Sequence, residues 1–324
     1  MANEIRMVEA IQQALDEEMA RDESVLVYGE DVGVSGGVFR ATKELRESYP
    51  DRVYDTPLAE SAILGLGVGL GATGYTPVTE IQFASFAYQG FHQLVQHATR
   101  LRSRTRGTLG VPMTVRTPYG GGIRALELHS ESFEAGYAHV PGLKTVVPSN
   151  AADAKGLLTS AVRDPDPVMF LEPTSRYRAS REAVPEGEHT VPLGEAEVVR
   201  EGADVTVVAW GAMLAETLSA VGRGDADVDA EVIDLRTVSP MDSETVLDSV
   251  RKTGRCVVVH EAPRTAGLAA EIIARINDDA LYYLEAPVER VTGYDVPFPL
   301  FAREDAYRPD AERIRRGIER ALSA

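Results

Sequence analysis

Cysteine and lysine are almost missing from this sequence of 324 residues, and an excess of positive charge is missing altogether. The single cysteine, Cys256, excludes an internal disulfide. Set in the apolar run Cys256-Val257-Val258-Val259, it reads as a small core residue and not as a nucleophile. Acidic residues outnumber basic ones 50 to 33, for a formal charge of -17. That sign works against nucleic acid or an anionic membrane as the main partner, because both attract basic surfaces. Only four of the basic residues are lysines (43, 144, 155 and 252), a bias that fits a salt-adapted surface and GC-rich coding equally well. No apolar run reaches the ~20 residues of a membrane-spanning helix. The opening Met1-Ala2-Asn3-Glu4 lacks the basic and apolar regions of a secretory signal, so a cytoplasmic location is expected.

Phosphate and metal motifs are lacking as well. Gly33-Val34-Ser35-Gly36-Gly37 has no Lys-Ser/Thr to complete a P-loop, and Gly65-Leu66-Gly67-Val68-Gly69 does not follow a strand at a turn as a dinucleotide fingerprint must. Gly120-Gly121-Gly122 is either a loop that brings backbone close to a ligand or a plain turn. The six histidines (92, 97, 129, 139, 189 and 260) form no zinc-type cluster with cysteine. His92 and His97, five residues apart, are too far round an α-helix to share a face well, and His260, at the end of an apolar strand, reads as structural. His129 differs, since it follows the glycine loop at a strand-to-helix junction, where catalytic groups of α/β proteins collect.

What is present is rhythm. Hydrophobic residues make up 44% of the chain, enough for one large or two ordinary domains. Ile5, Val8, Ile11, Leu15 and Met19 recur at helical spacing, and Val25 to Tyr28 follows as a strand. Similar pairs recur: Pro77 to Thr79 before a helix from Phe83 to Leu101, Val111 to Val115 before the glycine loop, Thr145 to Val147 before a helix from Ala151 to Val162, and then Val168 to Leu171. A polar connection from Ser180 to Glu188 interrupts the pattern. It restarts with strands at Val205 to Ala209, Glu231 to Leu235, Cys256 to Val259 and near Tyr282 to Glu285, and closes on a helix from Asp310 to Leu322. The pattern predicts an α/β protein of two doubly wound domains, residues 1–185 and 195–324, with 186–194 as the linker.

Glu60 stands at the mouth of the most apolar stretch, Ser61 to Gly74. Thr56-Pro57 favours an extended approach, so Glu60 falls at or just before the first turn of a helix. Gly65 with Gly69 and Gly67 with Gly71 form two rows without side chains, where another helix or a ligand could come close.

Several short motifs occur in one order: Gly29-Glu30-Asp31-Val32, Asp55-Thr56-Pro57-Leu58-Ala59-Glu60, Glu80-Ile81-Gln82-Phe83, Leu128-His129-Ser130, Pro141-Gly142-Leu143-Lys144, Asp234-Leu235-Arg236-Thr237, His260-Glu261-Ala262-Pro263 and Gly293-Tyr294-Asp295-Val296-Pro297-Phe298-Pro299. As a set they closely resemble the beta subunits of the thiamine-diphosphate-dependent decarboxylase component of 2-oxo acid dehydrogenase complexes. The resemblance covers nearly the whole chain. It implies a pyrimidine-binding domain followed by a transketolase C-terminal-like domain, in an α2β2 heterotetramer that serves a lipoyl acyltransferase core. The alpha chains of that family carry the Gly-Asp-Gly motif for Mg2+ and the diphosphate; this sequence contains no Gly-Asp-Gly and would be a half-site.

By the same resemblance Glu60 bonds the pyrimidine ring nitrogen and drives the tautomerisation that activates the cofactor, which needs a carboxyl of raised proton affinity. Phe86 stacks on the pyrimidine, Leu58 and Gln82 contact its edge, and His129 faces substrate and lipoamide. Glu131, where many relatives have Gln, would act on His129. The Met113 and Ala161 carbonyls with Asp164 and Asp166 resemble a potassium site of some relatives, or are a solvated acidic turn. The run Arg100, Arg102, Arg104, Arg106 reads as a subunit contact in preference to a phosphate site. The implied activity is oxidative decarboxylation of a 2-oxo acid with acyl transfer to lipoyl groups. Phe86, where branched-chain members usually have Tyr, favours a pyruvate-like site over a branched-chain 2-oxo acid or acetoin dehydrogenase. A non-catalytic subunit that stabilises alpha and docks the core is the remaining alternative.

Overall fold

The computed structural model describes residues 2–222 and 228–324. A short β1 (Ala2–Ile5) leads into helix α1 (Met7–Arg21), whose start is fixed by the Glu9 carboxylate accepting the Arg6 N–H at 2.7 Å. Val8, Ile11, Leu15 and Met19 are all buried, as the spacing predicts. Strands β2 (Val25–Gly29), β3 (Val53–Asp55), β4 (Thr76–Glu80), β5 (Thr114–Tyr119), β6 (Lys144–Val146) and β7 (Val168–Pro173) follow, parallel wherever they pair. Every residue of β2, β5 and β7 is buried, which is why they read as continuous apolar runs: both faces of the sheet are covered. Helix α2 (Glu60–Ala72) lies on one face. Helix α3 (Ala151–Val162), capped by the Asn150 side chain on the Asp153 N–H at 2.8 Å, packs with α1 on the other.

Beyond β8 (Glu182–Pro185), which pairs antiparallel with β1, a second sheet forms from β9 (Glu197–Arg200), β10 (Val205–Ala209), β11 (Ala230–Asp234), β13 (Cys256–Val259) and β14 (Glu289–Val291) in the order β14-β13-β10-β11-β9. Helices α4 (Ala212–Gly222), α5 (Ser243–Thr253), α6 (Ala269–Asp279) and α7 (Ala311–Ser323) cover it. Strand β12 (Thr237–Ser239) crosses back to pair antiparallel with β6, so the first sheet runs β12-β6-β7-β5-β4-β2-β3 and borrows its edge from the second half of the chain. One hydrophobic cluster, from Tyr28 and Leu64 through Trp210 to Ile276, is shared by the two halves.

Four sequence expectations need correction. The expected strand near Tyr282 to Glu285 is instead a 3-10 turn, Leu281–Tyr283, with Tyr282 99% exposed, and the edge strand is β14. The polar Ser180 to Glu188 segment contains β8, held by backbone pairing with β1 that composition does not show. The glycine row Gly67 and Gly71 faces the sheet and not a helix. A Cβ on Gly67 would press against Met113 Sδ and lie 2.8 Å from the Tyr28 hydroxyl. Finally, the helix expected from Phe83 to Leu101 is a composite: a 3-10 turn Phe86–Gly90, an α turn Phe91–Gln93, a π-helical stretch Leu94–Ala98 and an α segment Thr99–Arg104. Wider π turns bring residues five apart together, and His92 and His97 accordingly meet edge to face at 5.2 Å.

The middle of the first sheet holds a buried ion network. Arg116 on β5, 1% exposed, bonds Glu80 on β4 at 2.9 Å and Glu172 on β7 at 2.7 and 3.0 Å, and the Tyr177 hydroxyl also donates to Glu172. Desolvation lifts the Glu80 carboxyl above its ordinary range against the pull of Arg116. Replacing Arg116 by Leu would strand two carboxylates in the sheet, a loss of ~3–5 kcal/mol. The thermal midpoint of Arg116→Leu should fall by on the order of 5–10 °C; calorimetry showing a midpoint equal to wild type would remove this network from the determinants of stability.

Candidate active site

Ligands of parallel α/β sheets gather beyond the carboxyl ends of the strands. Here those ends, on β2, β3 and β4, carry Glu30, the loop to Glu60, and Gln82. Asp55, at the end of β3, accepts the N–H groups of Gly33 at 2.6 Å and Val34 at 3.0 Å and the Arg46 guanidinium at 3.0 Å, which fixes the loop after β2. The Thr56 N–H bonds the Gly29 carbonyl at 3.0 Å, and from there the chain turns into α2 at Glu60. Glu60 is 5% exposed and has no hydrogen-bond donor to its carboxyl among the described residues. Its neighbour is Glu30, 8% exposed, whose carboxyl is pushed up by burial and then by the charges of Glu60 and Asp31. Asp31 in turn accepts from Gln82 Nε2 at 3.1 Å.

The segment after β4 stays anchored to β5, with Ile81 N–H on the Arg116 carbonyl at 3.0 Å and Ala84 N–H on the Pro118 carbonyl at 2.9 Å. This sets Phe83 and Phe86 against the His129 imidazole, with ring centroids 4.3 and 5.3 Å away in edge-to-face contacts. His129 is half-buried, and its Nδ1 is sealed from solvent without a partner. The Phe86–Gly90 turn packs on α2 close enough that a Cβ on Gly90 would lie 3.0 Å from the Glu60 carbonyl. Contacts thus link Gln82, Phe86 and His129 to the start of α2. Leu58 projects from the same loop, 78% exposed. Glu131 is engaged by the Tyr88 hydroxyl at 2.8 Å, and no contact with His129 is present.

The other expected set is elsewhere. Met113, Ala161, Asp164 and Asp166 lie at the amino ends of β5 and β7, the opposite edge of the sheet from Glu60. Asp164 is paired with Lys144, Asp166 with Arg102 at 2.5 Å, and the Met113 and Ala161 carbonyls already accept the N–H groups of Val168 at 2.9 Å and Asp164 at 3.2 Å. Both carboxylates are thus paired with cations, and a potassium ion at this set would have to compete with Lys144 and Arg102.

Sequence reasoning left Gly120-Gly121-Gly122 open between a ligand loop and a turn, and missed what fastens it. Glu261 accepts the Gly121 N–H at 3.0 Å, Glu304 accepts the Gly122 N–H, and Arg308 bonds Glu261 at 3.2 Å. Gly120 N–H closes the loop on the Glu131 carbonyl at 3.1 Å. Two carboxylates on these N–H groups leave no place for a phosphate, and they tie the loop that carries His129 to the second half of the chain. A cavity of 1240 Å³ opens beside this junction, lined by residues of both halves such as Phe133, Met241, Leu268 and Phe298, and meets the His129 loop at Glu131 and Tyr88. His260 is buried against Trp210, stacked at 5.5 Å, and Cys256 is sealed in the core.

Residues 3–180 match the family of transketolase pyrimidine-binding domains, and residues 194–314 match the transketolase C-terminal domain. A solved split-gene transketolase, an inactive beta4 tetramer, aligns over 99% of both chains with a TM-score of 0.79 at 24% identity, a likeness of fold. The class is therefore a two-domain protein of transketolase type. Pyruvate dehydrogenase E1 component beta subunits of Acholeplasma laidlawii and Bacillus subtilis are 49% and 50% identical to this chain, over 99% and 96% of it and 98% and 96% of their own lengths. The 3-methyl-2-oxobutanoate dehydrogenase beta subunit of Mycobacterium tuberculosis is 48% identical over 98% of this chain and 92% of its own. The chain belongs to the family of beta subunits of thiamine-diphosphate-dependent 2-oxo acid dehydrogenases.

One group at the domain junction gives a pH signature. Glu134 is fully buried, and neither oxygen makes a hydrogen bond of ordinary geometry. Burial outweighs weak help from its own amide and from Trp210, and with Glu261 nearby its pKa rises from 4.5 to about 7. Between those values the folded chain keeps a proton that the unfolded chain has released. Stability is therefore complete below about pH 4.5 and declines as the pH rises to about 7, by ~3 kcal/mol at most. Glu134→Gln, an isostere of the protonated form, should match wild type near about pH 5 and melt several degrees higher near about pH 8. The same midpoint difference at both pH values would reject the assignment.

Proposed function

We propose that this chain is the cofactor-activating half of a pyruvate-decarboxylating enzyme and that Glu60 is its central catalytic group. The observation that supports this is Glu60 itself: a buried carboxyl at the first turn of α2, beyond the carboxyl ends of the strands, without a donor of its own. With no donor in the chain engaging it, this carboxyl is free to bond a ring nitrogen that shares its proton. Bound thiamine diphosphate supplies that ring together with a carbon that adds to a 2-oxo group and holds the electrons released as carbon dioxide leaves.

Glu60 holds the proton at the pyrimidine nitrogen. Glu30, with its raised proton affinity, limits the negative charge that Glu60 must share. Phe86 provides a flat apolar surface for the ring, and Leu58 and Gln82 line its edge. The exposure of Leu58 fits a surface that cofactor and partner cover together. His129, with Nδ1 unpaired against Phe83 and Phe86, delivers a proton to the departing sulfur when the lipoyl disulfide is reduced. Mg2+ and the diphosphate fall to a partner alpha chain in an α2β2 assembly, which works with a lipoyl acyltransferase core in the cytoplasm. No described helix is long and apolar enough to cross a membrane. The branched-chain relative keeps a second substrate in view; Phe86, in place of the Tyr usual there, favours the smaller acid.

The separated chain should bind thiamine diphosphate weakly and decarboxylate nothing, and mixing it with its alpha chain should restore both. In that complex Glu60→Gln should leave assembly intact and slow proton exchange at the thiazolium carbon by ~10²–10⁴-fold. Exchange at the wild-type rate would reduce Glu60 to a helix-start carboxylate.

His129→Ala separates the half-reactions. Acyl transfer to lipoamide should fall by ~10²–10⁴-fold, while decarboxylation read with an artificial electron acceptor, which needs no sulfur protonation, should fall far less. Equal losses in both assays would make His129 a general substrate-site residue.

A further inference from the structure

In a chain with 50 acidic and 33 basic residues, guanidinium groups without a carboxylate partner stand out. A pocket of 460 Å³ in the second half of the chain gathers five arginines: Arg264 from the loop after β13, Arg290 on the edge strand β14, and Arg313, Arg316 and Arg320 on α7. The spacing on α7 puts its three on one side of the helix, toward β14. One carboxylate lines the same pocket, Asp295, and it is taken by the Thr265 N–H and hydroxyl at 2.8 Å each.

Arg264 and Arg290 donate only to each other's backbone carbonyls, at 3.3 and 3.4 Å, and Arg313 donates to the carbonyls of Tyr307 at 2.8 Å and Thr292 at 2.5 Å while lying over the Tyr294 ring. Among the described residues none of these three forms an ion pair with a carboxylate, although Arg264 lies within the field of Asp295. Arg316 Nε donates to the Glu312 carbonyl at 3.4 Å and makes a long ion pair with the Glu312 carboxylate at 3.8 Å, and Arg320 pairs closely with Glu289 at 3.0 Å. Carbonyl bonds orient a guanidinium without neutralising it. Three carboxylates, Glu289, Glu312 and Asp295, stand against five guanidiniums, so the repulsion among the cations is relieved only in part, the electrostatic state of a site that favours an anion.

We propose that this pocket binds a small phosphate-bearing anion. Planar guanidiniums are matched to phosphate oxygens in bidentate geometry, and three converging elements, a loop, a strand edge and a helix, make a concave receptor for a compact ligand. The pocket shares no lining residue with the Glu60 site, whose residues are all in the first half of the chain.

The probes are inorganic phosphate and pyrophosphate, titrated by calorimetry into the full chain and into the alpha–beta complex already saturated with thiamine diphosphate. Saturable binding of pyrophosphate is expected in both, weakening with added salt. The double variant Arg264→Gln/Arg290→Gln should weaken it at least ~10-fold. A control of equal charge change on the first half, Arg21→Gln/Arg181→Gln, should leave it within about twofold. Absence of saturable binding, or equal weakening by both double variants, would overturn the proposal. So would binding to the separate chain that vanishes in the saturated complex, because a partner's acidic segment would then be the occupant. Circular dichroism and melting of the double variant distinguish lost binding from lost fold, and Arg264→Lys, which keeps charge but not the planar fork, should bind with intermediate affinity.

Discussion

The central strands of the first sheet are held in place by a cation that has nowhere else to go. Arg116 is sealed between Glu80 and Glu172 on the strands either side of it. The wrong register would leave three ionised groups in an apolar interior. Burying such a network adds little net stability compared with apolar packing, but misplacing one member is severely unfavourable. Register is therefore what the network specifies, and the site inherits it: the residues after Glu80 keep bonding to the β5 backbone as far as Ala84, and this fixes Gln82, Phe83 and Phe86 in front of the strand ends.

A second constraint acts between the two halves. The Gly120-Gly121-Gly122 loop lies so close to the second half that a Cβ on Gly120 would meet the Glu261 carboxylate and one on Gly121 would meet Phe298. Glu261 and Glu304 occupy its N–H groups. His129 is thus positioned by residues more than a hundred positions further along the chain, and the second half contributes to the site by holding a loop and not by offering a side chain to it. The strand β12, donated back to the first sheet, and the Ser149 hydroxyl on Asp234 at 2.9 Å and Arg236 on Asp153 at 2.9 Å, reinforce that junction.

Charge is distributed with the same division. The mouth around Glu60 collects Glu30 and Asp31, an acidic setting suited to a cofactor with a cationic ring. Arginines gather instead in a pocket of the second half, against the edge strand β14. A net charge of -17 conceals both.

The sequence by itself determined the α/β alternation, most core strands, and Glu60 at the entrance of a helix, because these rest on local pattern: apolar runs for strands covered on both faces, and Thr56-Pro57 before a glycine-rich apolar stretch. Ordered short motifs carried the family. Only the tertiary structure decided what depends on partners distant in the chain. It paired β1 with β8 in a segment that reads as polar linker, moved the last edge strand to β14, neutralised Asp164 and Asp166 with Lys144 and Arg102, and set carboxylates on the glycine loop. It also wound residues 94–98 into a π turn that brings His92 to His97. Periodicity reports which face of an element is buried, and it carries no information about which distant group will meet that face; that choice is made only when the whole chain is packed.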